Sequence, residues 1–336
     1  MRRTFLFSFL LIASSFMSQS RAAEISPRRL RVAVPAADLR REPVRAGPTL
    51  EQDPLEESQL LYGDPVEVQE EKAGWVRVNA LEQLEWTHHK RWEGYPGWME
   101  STTLSPEPEG WIPNLVVTGK EGVVLEKPEP TAPVRFTLSL GTRLVGVRHH
   151  GDFEKVGSVS DTGFLKLRLL DGSTGWIQAD QVTPLEKLAQ MRADPERWRA
   201  RLVQTARLFL GDPYYWGGRS AHNPSAAESP HTAVDCSGLV GLVYQANGMI
   251  IPRDAHEQWM QAWPIEPEQL LPGDLIFLHD LDHPEKIVHV MLYAPLEEER
   301  LIEGPGTGKP VRELPLAERL KETKGRRISF GTYLPQ

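Results

Sequence analysis

The stretch Val234-Asp235-Cys236-Ser237-Gly238-Leu239-Val240 constrains this chain more than any other. Cys236 is the only cysteine, so no intramolecular disulfide can hold the fold together. Leu239, Val240, Leu242 and Val243 recur at helical spacing, Gly248 is a natural stop, and Asp235 reads as the helix cap. The thiol then lies in the first helical turn, where unpaired backbone N–H groups and the helix dipole favour the thiolate. Thiolate is the nucleophilic form of cysteine. A buried structural cysteine is the competing reading, and the rest of the chain has to decide between the two.

The compartment bears on that choice. Arg2 and Arg3, an apolar and small-residue run from Thr4 to Phe16, and Ala22-Ala23 read as a secretory signal over residues 1–23. That run is too short to span a bilayer, so no membrane anchor is expected, and the chain is read as exported to the periplasm or the exterior. Oxidising compartments favour paired cysteines, so a solitary exported thiol points to reactivity. The 336 residues suffice for two or three domains, and a net charge of −8 argues against nucleic acid as a main partner.

Two stretches alternate at strand spacing. Residues 30–105 carry the Leu61-Tyr62-Gly63-Asp64 turn, Val66 and Val68, Gly74-Trp75-Val76-Arg77-Val78, and a closing Gly97-Trp98-Met99. The acidic and aromatic insert Leu81 to Tyr95, with His88 and His89, reads as a long loop. Residues 112–184 repeat the grammar more weakly, through Val123-Val124-Leu125, Gly141 to Val147, Phe164 to Leu169, the Asp171-Gly172 hairpin signal and Gly175-Trp176-Ile177. Trp75, Trp98 and Trp176 are expected in the cores, and Trp86 and Trp92 on a cleft wall. Both stretches resemble the small bacterial SH3-like β-barrels that accompany cell-wall enzymes. Thr183 to Arg192 reads as a polar connector.

From residue 193 to 336 the pattern is α+β. Asp194-Pro195 starts a helix carrying Trp198, Leu202, Thr205, Ala206 and Phe209, which Gly211 ends. Leu271-Pro272-Gly273-Asp274 turns into a strand, and Ile287 to Tyr293 alternates, with His289, Met291 and Tyr293 on one face and Val288, Val290 and Leu292 on the other. A cysteine at a helix start facing a histidine on a strand is the general arrangement of papain-like cysteine peptidases, in which the imidazole takes the thiol proton and returns it to the leaving amine.

The motifs Tyr-x-Trp-Gly-Gly (from Tyr214), Asp-Cys-Ser-Gly-Leu-Val (from Asp235), Pro-Arg-Asp-Ala (from Pro252), Pro-Gly-Asp-Leu-Ile-Phe (from Pro272) and His-Val-x-x-Tyr (from His289) come in the order seen in NlpC-type cell-wall cysteine peptidases. The resemblance spans Tyr214 to about Glu303. Together with the SH3-like modules it is similar to the subgroup that cleaves γ-D-glutamyl-L-diamino acid bonds in short murein peptides. It implies Cys236 as nucleophile, His289 as base, and Tyr214 as a hydroxyl beside the thiol that helps build the oxyanion site. Asp235 and Ser237 are expected to touch substrate, Asp235 at its free α-amine. Arg253 and Asp254 are near-cleft candidates, Arg253 for a D-glutamate carboxylate.

One position departs from the family. The residue that orients the imidazole is usually His, Asn or Gln, whereas the alignment of Arg300 to Gly304 puts Glu303 there. A carboxylate in that role fixes the tautomer and stabilises an imidazolium. No metal or organic cofactor is implied: His222, His231, His279 and His283 lack zinc-ligand spacing and read as solvated loop residues, and His256 follows Pro-Arg-Asp-Ala as a candidate pocket residue. The expected partner is a murein peptide with a free N-terminal L-alanine. The alternatives are an endopeptidase on intact peptidoglycan and an inactive wall-binding protein. The oligomeric state is not legible.

Overall fold

The computed structural model describes residues 28–45, 47, 52–157, 163–224 and 232–334. The expected signal segment and His231 lie outside the described residues.

The first part is a seven-stranded antiparallel sheet. Its strands run in the spatial order Glu56–Leu61, Ala36–Arg40, Glu93–Glu100, Trp75–Glu85, Pro65–Lys72, Arg29–Val32 and Leu104–Pro106. Leu30, Val32, Leu39, Leu60, Val66, Val76, Val78, Tyr95 and Met99 make its core. A second antiparallel sheet is built around Val134–Ser139, Glu121–Leu125, Thr174–Gln178, Phe164–Arg168, Arg143–Gly146, Leu115–Val117 and Val182–Pro184. In both, the strand order is open, so the pairing among the described residues does not show the closed barrel that was expected.

The two Gly-Trp pairs occupy equivalent places. A Cβ on Gly97 would lie 2.6 Å from Leu39 Cγ, and one on Gly175 would lie 2.6 Å from Val124 Cγ1. Each glycine leaves room for a core side chain of the neighbouring strand. The following tryptophan then points away from the core: Trp98 and Trp176 are half-buried, as is Trp75, while Met99 and Ile177 are buried. Strand alternation accounts for this correction to the expected tryptophan cores.

Two further expectations are corrected. The insert is not a loop: it extends Trp75–Glu85 and Glu93–Glu100 into a long hairpin, and only residues 86–92 form its turn. The polar connector contains the helix Leu185–Met191, whose Leu188 is buried.

The third part holds a six-stranded sheet ordered Trp263–Ile265, Ile328–Thr332, Leu275–His279, Ile287–Tyr293, Arg300–Glu303 and Arg312–Pro315. Alternation along the strands divides their apolar side chains. Leu275, Phe277, Val290, Leu292 and Ile302 pack with the helices Pro195–Arg207 and Cys236–Ala246, through Trp198, Leu202, Leu239, Val240, Leu242 and Val243. Ile276, Leu278, Met291, Tyr293 and Leu301 pack on the opposite face with Leu314 and with Leu316 of the helix Leu316–Lys321. Asp194 caps the first helix by accepting from Arg197 N, and Pro195 follows it, as its sequence indicates; the helix ends at Arg207, with Gly211 closing the turn after it.

One strand breaks its own alternation. His289 stands opposite Leu278, but Ile287 stands opposite His279, so Val288 is an extra residue without a partner. The bulge turns Val288 outward, 42% exposed, and returns Ile287 to the apolar core with Val290 and Leu292. The expected face of Val288, Val290 and Leu292 is therefore interrupted beside His289, the kind of place where bulges re-aim a side chain.

Candidate active site

The helix that begins at Cys236 is built by close backbone approach. Asp235 caps it in extended conformation, its Oδ1 accepting from Gly238 N at 2.6 Å. Asp235 N in turn donates to Gly218 O at 3.0 Å. That carbonyl would lie 2.2 Å from any Cβ at position 238, so only glycine permits the helix start to settle on the Tyr-x-Trp-Gly-Gly segment. Cys236 is the first helical residue and is partly exposed, while Ser237 to Ala246 are buried. The thiol therefore reaches solvent from an otherwise buried element.

His289 meets Cys236 on one side and Glu303 on the other. Its Nε2 lies 2.6 Å from Glu303 Oε2. With Nε2–H donated to that carboxylate, Nδ1 remains for the thiol proton. Burial works to lower the imidazole pKa, but the Cys236 sulfur and then Glu303 act more strongly in the opposite sense and push it up to about 9. Glu303 is fully buried. Burial alone would raise its carboxyl, yet His289 and Arg319 hold it down at about 2.

Two residues that sequence reasoning missed complete this environment. Arg312 stands directly across from Glu303 in the neighbouring strand and donates from Nε (2.9 Å) and Nη2 (2.7 Å) to Oε1. Arg319, on the helix Leu316–Lys321, donates from Nε to both carboxylate oxygens at 2.9 Å. No motif marks either arginine; only an eight-residue hairpin return, from 304 to 311, predicts that 312 faces 303.

Tyr214 lies beside Cys236. Burial first, then the proximity of Cys236 and Asp235, raises its pKa above the usual tyrosine value, so the hydroxyl stays a proton donor. A Cβ at Gly304 would come 3.3 Å from the Tyr214 ring and 3.7 Å from the Asp235 carbonyl, so this strand end presses on both.

The other expected site residues divide into two groups. Asp235 Oδ1 accepts from Gly238 N, Ser237 Oγ (3.2 Å) and Arg253 Nη1 (3.2 Å), and its Oδ2 accepts from Gly217 N (3.1 Å) and Arg253 Nη2 (2.8 Å). Arg253, 2% exposed, also donates to Ser237 Oγ at 3.0 Å and to Ser58 Oγ of the first sheet at 2.7 Å. Asp235, Ser237 and Arg253 thus form a closed buried network. Their polar groups bond one another inside the protein, at the helix start that carries Cys236.

Asp254 differs. It occupies the N-cap of the helix Ala255–Gln261 but makes no side-chain cap bond. Instead its Oδ2 accepts from Tyr95 OH at 3.1 Å, and the same hydroxyl lies 3.3 Å from Glu57 Oε2. Burial pushes the Asp254 carboxyl up to about 7 against the opposing pull of Arg253, and Glu257 and Asp235 push the same way. Its side chain remains 40% exposed. The hairpin wall is pinned close by: Thr87 N donates to Glu257 Oε1 at 3.1 Å, and Arg253 N donates to Leu84 O at 3.0 Å. Trp86 and Trp92 pack on each other at the hairpin turn, 5.9 Å between ring centroids.

The remaining histidines do not join the site. His222 bonds Thr232 O at 2.9 Å. His279, expected to be solvated, is buried between Pro284 O (2.6 Å) and Ser329 Oγ (2.8 Å), while His283 is exposed. His256 stacks on Trp259 and accepts from Ile287 N at 3.3 Å. Among the described residues, potential metal-binding atoms of Glu85, His89 and Glu93 come within 4.8 Å of one another. His89 and Arg91 already bond Glu93, and His88 bonds Glu85.

A thiol at a helix start, an imidazole on the adjoining sheet and a carboxylate behind it define a cysteine peptidase of the papain-like α+β fold. Residues 211–326 match the NlpC/P60 family, which marks the chain as a cysteine peptidase. It is 28% identical over 270 residues to the gamma-D-glutamyl-L-lysine dipeptidyl-peptidase of Bacillus subtilis, covering 80% of this chain and 79% of that one. It is 28% identical over 225 residues to dipeptidyl-peptidase 6 of Lysinibacillus sphaericus, covering 65% and 72% of the two chains. The fold is shared with a crystal structure of an NlpC/P60 family protein from Bacillus cereus, with a TM-score of 0.71 and 22% identity over 91% of this chain and 100% of that one.

Proposed function

We propose that this chain is an exported cysteine peptidase that hydrolyses the γ-D-glutamyl-L-diamino acid bond of murein stem peptides bearing a free N-terminal L-alanine. The observation that carries the reading is the continuous line from the Cys236 thiol through His289 to Glu303. In that role the Cys236 thiolate attacks the γ-carbonyl carbon, and the oxyanion is met by the Cys236 backbone N–H and the Tyr214 hydroxyl. The imidazolium of His289 gives its Nδ1 proton to the departing amine, leaving a thioester on Cys236. Neutral His289 then takes a proton from water, which attacks the thioester and frees the thiol. Glu303 holds the ring in the tautomer that both steps require.

The relatives named for γ-D-glutamyl-L-lysine dipeptidyl-peptidase activity support the bond and the substrate class. Release of a dipeptide requires one end of the cleft to be closed, and the first sheet supplies such a wall through its hairpin. Asp254, with Tyr95 and Glu57 behind it, supports recognition of the alanine ammonium: it is a carboxylate without a bonded cap, facing other acids, that a cation would stabilise. No helix among the described residues is long and apolar enough to cross a membrane.

Mass-spectrometric digestion of L-Ala-γ-D-Glu-diaminopimelate tests the reading. Wild type is expected to release L-Ala-D-Glu, and Cys236→Ala to release none. The N-acetylated peptide is expected to be a poor substrate, and Asp254→Asn to raise KM for the free peptide roughly tenfold or more, as loss of a charge-assisted contact would. Equal cleavage of free, acetylated and wall-linked peptide would replace this reading with an endopeptidase acting on intact peptidoglycan. Binding without turnover in folded wild type would replace it with a wall-binding protein.

A further inference from the structure

Besides His289, Glu303 is held by two guanidinium groups, one from a strand and one from a helix. We propose that Arg312 and Arg319 are positioning residues that set the proton affinity of the His289–Glu303 couple. The inference rests on the reading of Cys236 and His289 as nucleophile and base.

The arrangement of donors supports this. Glu303 Oε1 accepts from Arg312 Nε, Arg312 Nη2 and Arg319 Nε, so it has no free lone pair directed at the imidazole. Oε2 is shared between Arg319 Nε at 2.9 Å and His289 Nε2 at 2.6 Å. The carboxylate can therefore neither rotate nor tilt without breaking charge-assisted bonds. Glu322 lies behind both arginines, its Oε2 2.6 Å from Arg312 Nη2 and 3.9 Å from Arg319 Nη1, which fixes them in turn.

An isolated buried carboxylate would be a poor choice for this position. Unshared, its charge would bind the imidazolium so strongly that His289 would give up its proton to a leaving amine reluctantly. It would also be readily protonated as the medium became acidic. Two positive groups oppose both faults: they keep Glu303 ionised and withdraw part of its attraction for the imidazolium. A neutral amide in the same place would need no such clamp, so the arginines belong with the carboxylate. The groups bearing on His289 from the packed elements are Cys236 on the nucleophile helix and Glu303 on the next strand, with apolar Leu278 opposite on the other neighbouring strand. Those bearing on Glu303 are His289, Arg312 and Arg319, with Glu322 beyond.

The test uses the full chain as wild type, Arg312→Met, Arg319→Met and the matching Lys variants. Two pH profiles are read: kcat/KM on the free tripeptide, and the rate of Cys236 alkylation by iodoacetamide. Removing positive charge near the couple is expected to move the alkaline limb upward by about one pH unit in both profiles, with kcat falling roughly tenfold. The Lys variants are expected to keep the limb near its wild-type position, because they keep the charge. A limb that stays put while activity falls in step with melting temperature would assign the arginines a structural role only and overturn the proposal. Should Arg319→Met not fold, Arg312→Met carries the same expectation from a partly exposed side chain. Alkylation needs no substrate, so a wrong substrate assignment shows as absent turnover with the alkylation shift intact, whereas a wrong inference shows as an unmoved alkylation limb.

Discussion

At the residue scale, the chemistry depends on where the proton on His289 resides. The imidazole is held up at about 9 and the Glu303 carboxyl down at about 2. Under the proposed mechanism, the wild-type kcat/KM profile is therefore expected to lose activity on its alkaline side near pH 9, as the imidazolium proposed to protonate the leaving amine disappears. The same shifts govern stability. The histidine is raised above its ordinary 6.5, so its contribution is complete below that pH and is lost as pH climbs through about 9. Glu303 is depressed from 4.5, so its contribution is complete above that pH and lost as pH falls through about 2. Calorimetry on wild type and Glu303→Gln should show the largest difference in melting temperature between pH 4.5 and 6.5. Activity in that variant is expected to fall between about 10²- and 10⁴-fold, the range for losing an orienting or acid–base group.

At the scale of elements, the nucleophile helix stands on a contact that tolerates no side chain. Gly238→Ala would drive a methyl group to 2.2 Å from the Gly218 carbonyl. The helix start has to retreat, costing about 1–3 kcal/mol as overpacking does and carrying Cys236 away from His289. Urea titration should register the first effect, and slower iodoacetamide alkylation of Cys236 the second. The hairpin wall makes a milder test. Glu257 is buried and receives Thr87, so Glu257→Gln is expected to loosen the turn carrying Trp86 and Trp92. Because no reacting group moves, KM should rise with kcat nearly unchanged; a fall in kcat alone would show that the wall does not contribute to binding.

At the scale of the whole molecule, buried charges cross from one part of the chain to another. Arg253 of the third part donates to Ser58 of the first sheet, and Arg219 sits 3.5 Å from Asp64 of that sheet, fully buried. Gln59 Oε1 accepts from Arg219 N and Ser220 Oγ, and Gln245 of the Cys236–Ala246 helix donates to Gly141 O, in a turn of the second part, at 2.9 Å. Separation of the parts would leave such groups uncompensated. Thermal unfolding of the full chain is therefore expected to be one transition, and Asp64→Asn to lower stability by about 3 kcal/mol, the scale for losing one partner of a buried ion pair. Two resolved transitions in wild type would contradict this coupling.

Local pattern was enough to read the helix caps at Asp194 and Asp235 and the strand carrying His289, because each depends on neighbours a few residues away, whereas the carboxylate at 303 was reached through the family resemblance. The α+β character of the third part was legible for the same reason. The destination of side chains with two chemically acceptable partners was not legible. Arg253 and Asp235 carry no local sign that they pair with each other, and only the fold shows that pair and its bond to Ser58. Asp254 looked no different from Asp235 until its cap bond proved absent and Tyr95, remote in the chain, proved present. The tryptophans of the Gly-Trp pairs went outward because the glycines made room for Leu39 and Val124, a choice made between strands. Arg312 and Arg319 carry no local signal, since their meaning is a single contact with Glu303 made by strand register and helix placement. The sequence alone therefore determined which groups could act as nucleophile, base and carboxylate. Tertiary structure decided which charges face inward and which partners they meet there, because long-range electrostatics and burial depend on neighbours that chain order does not reveal.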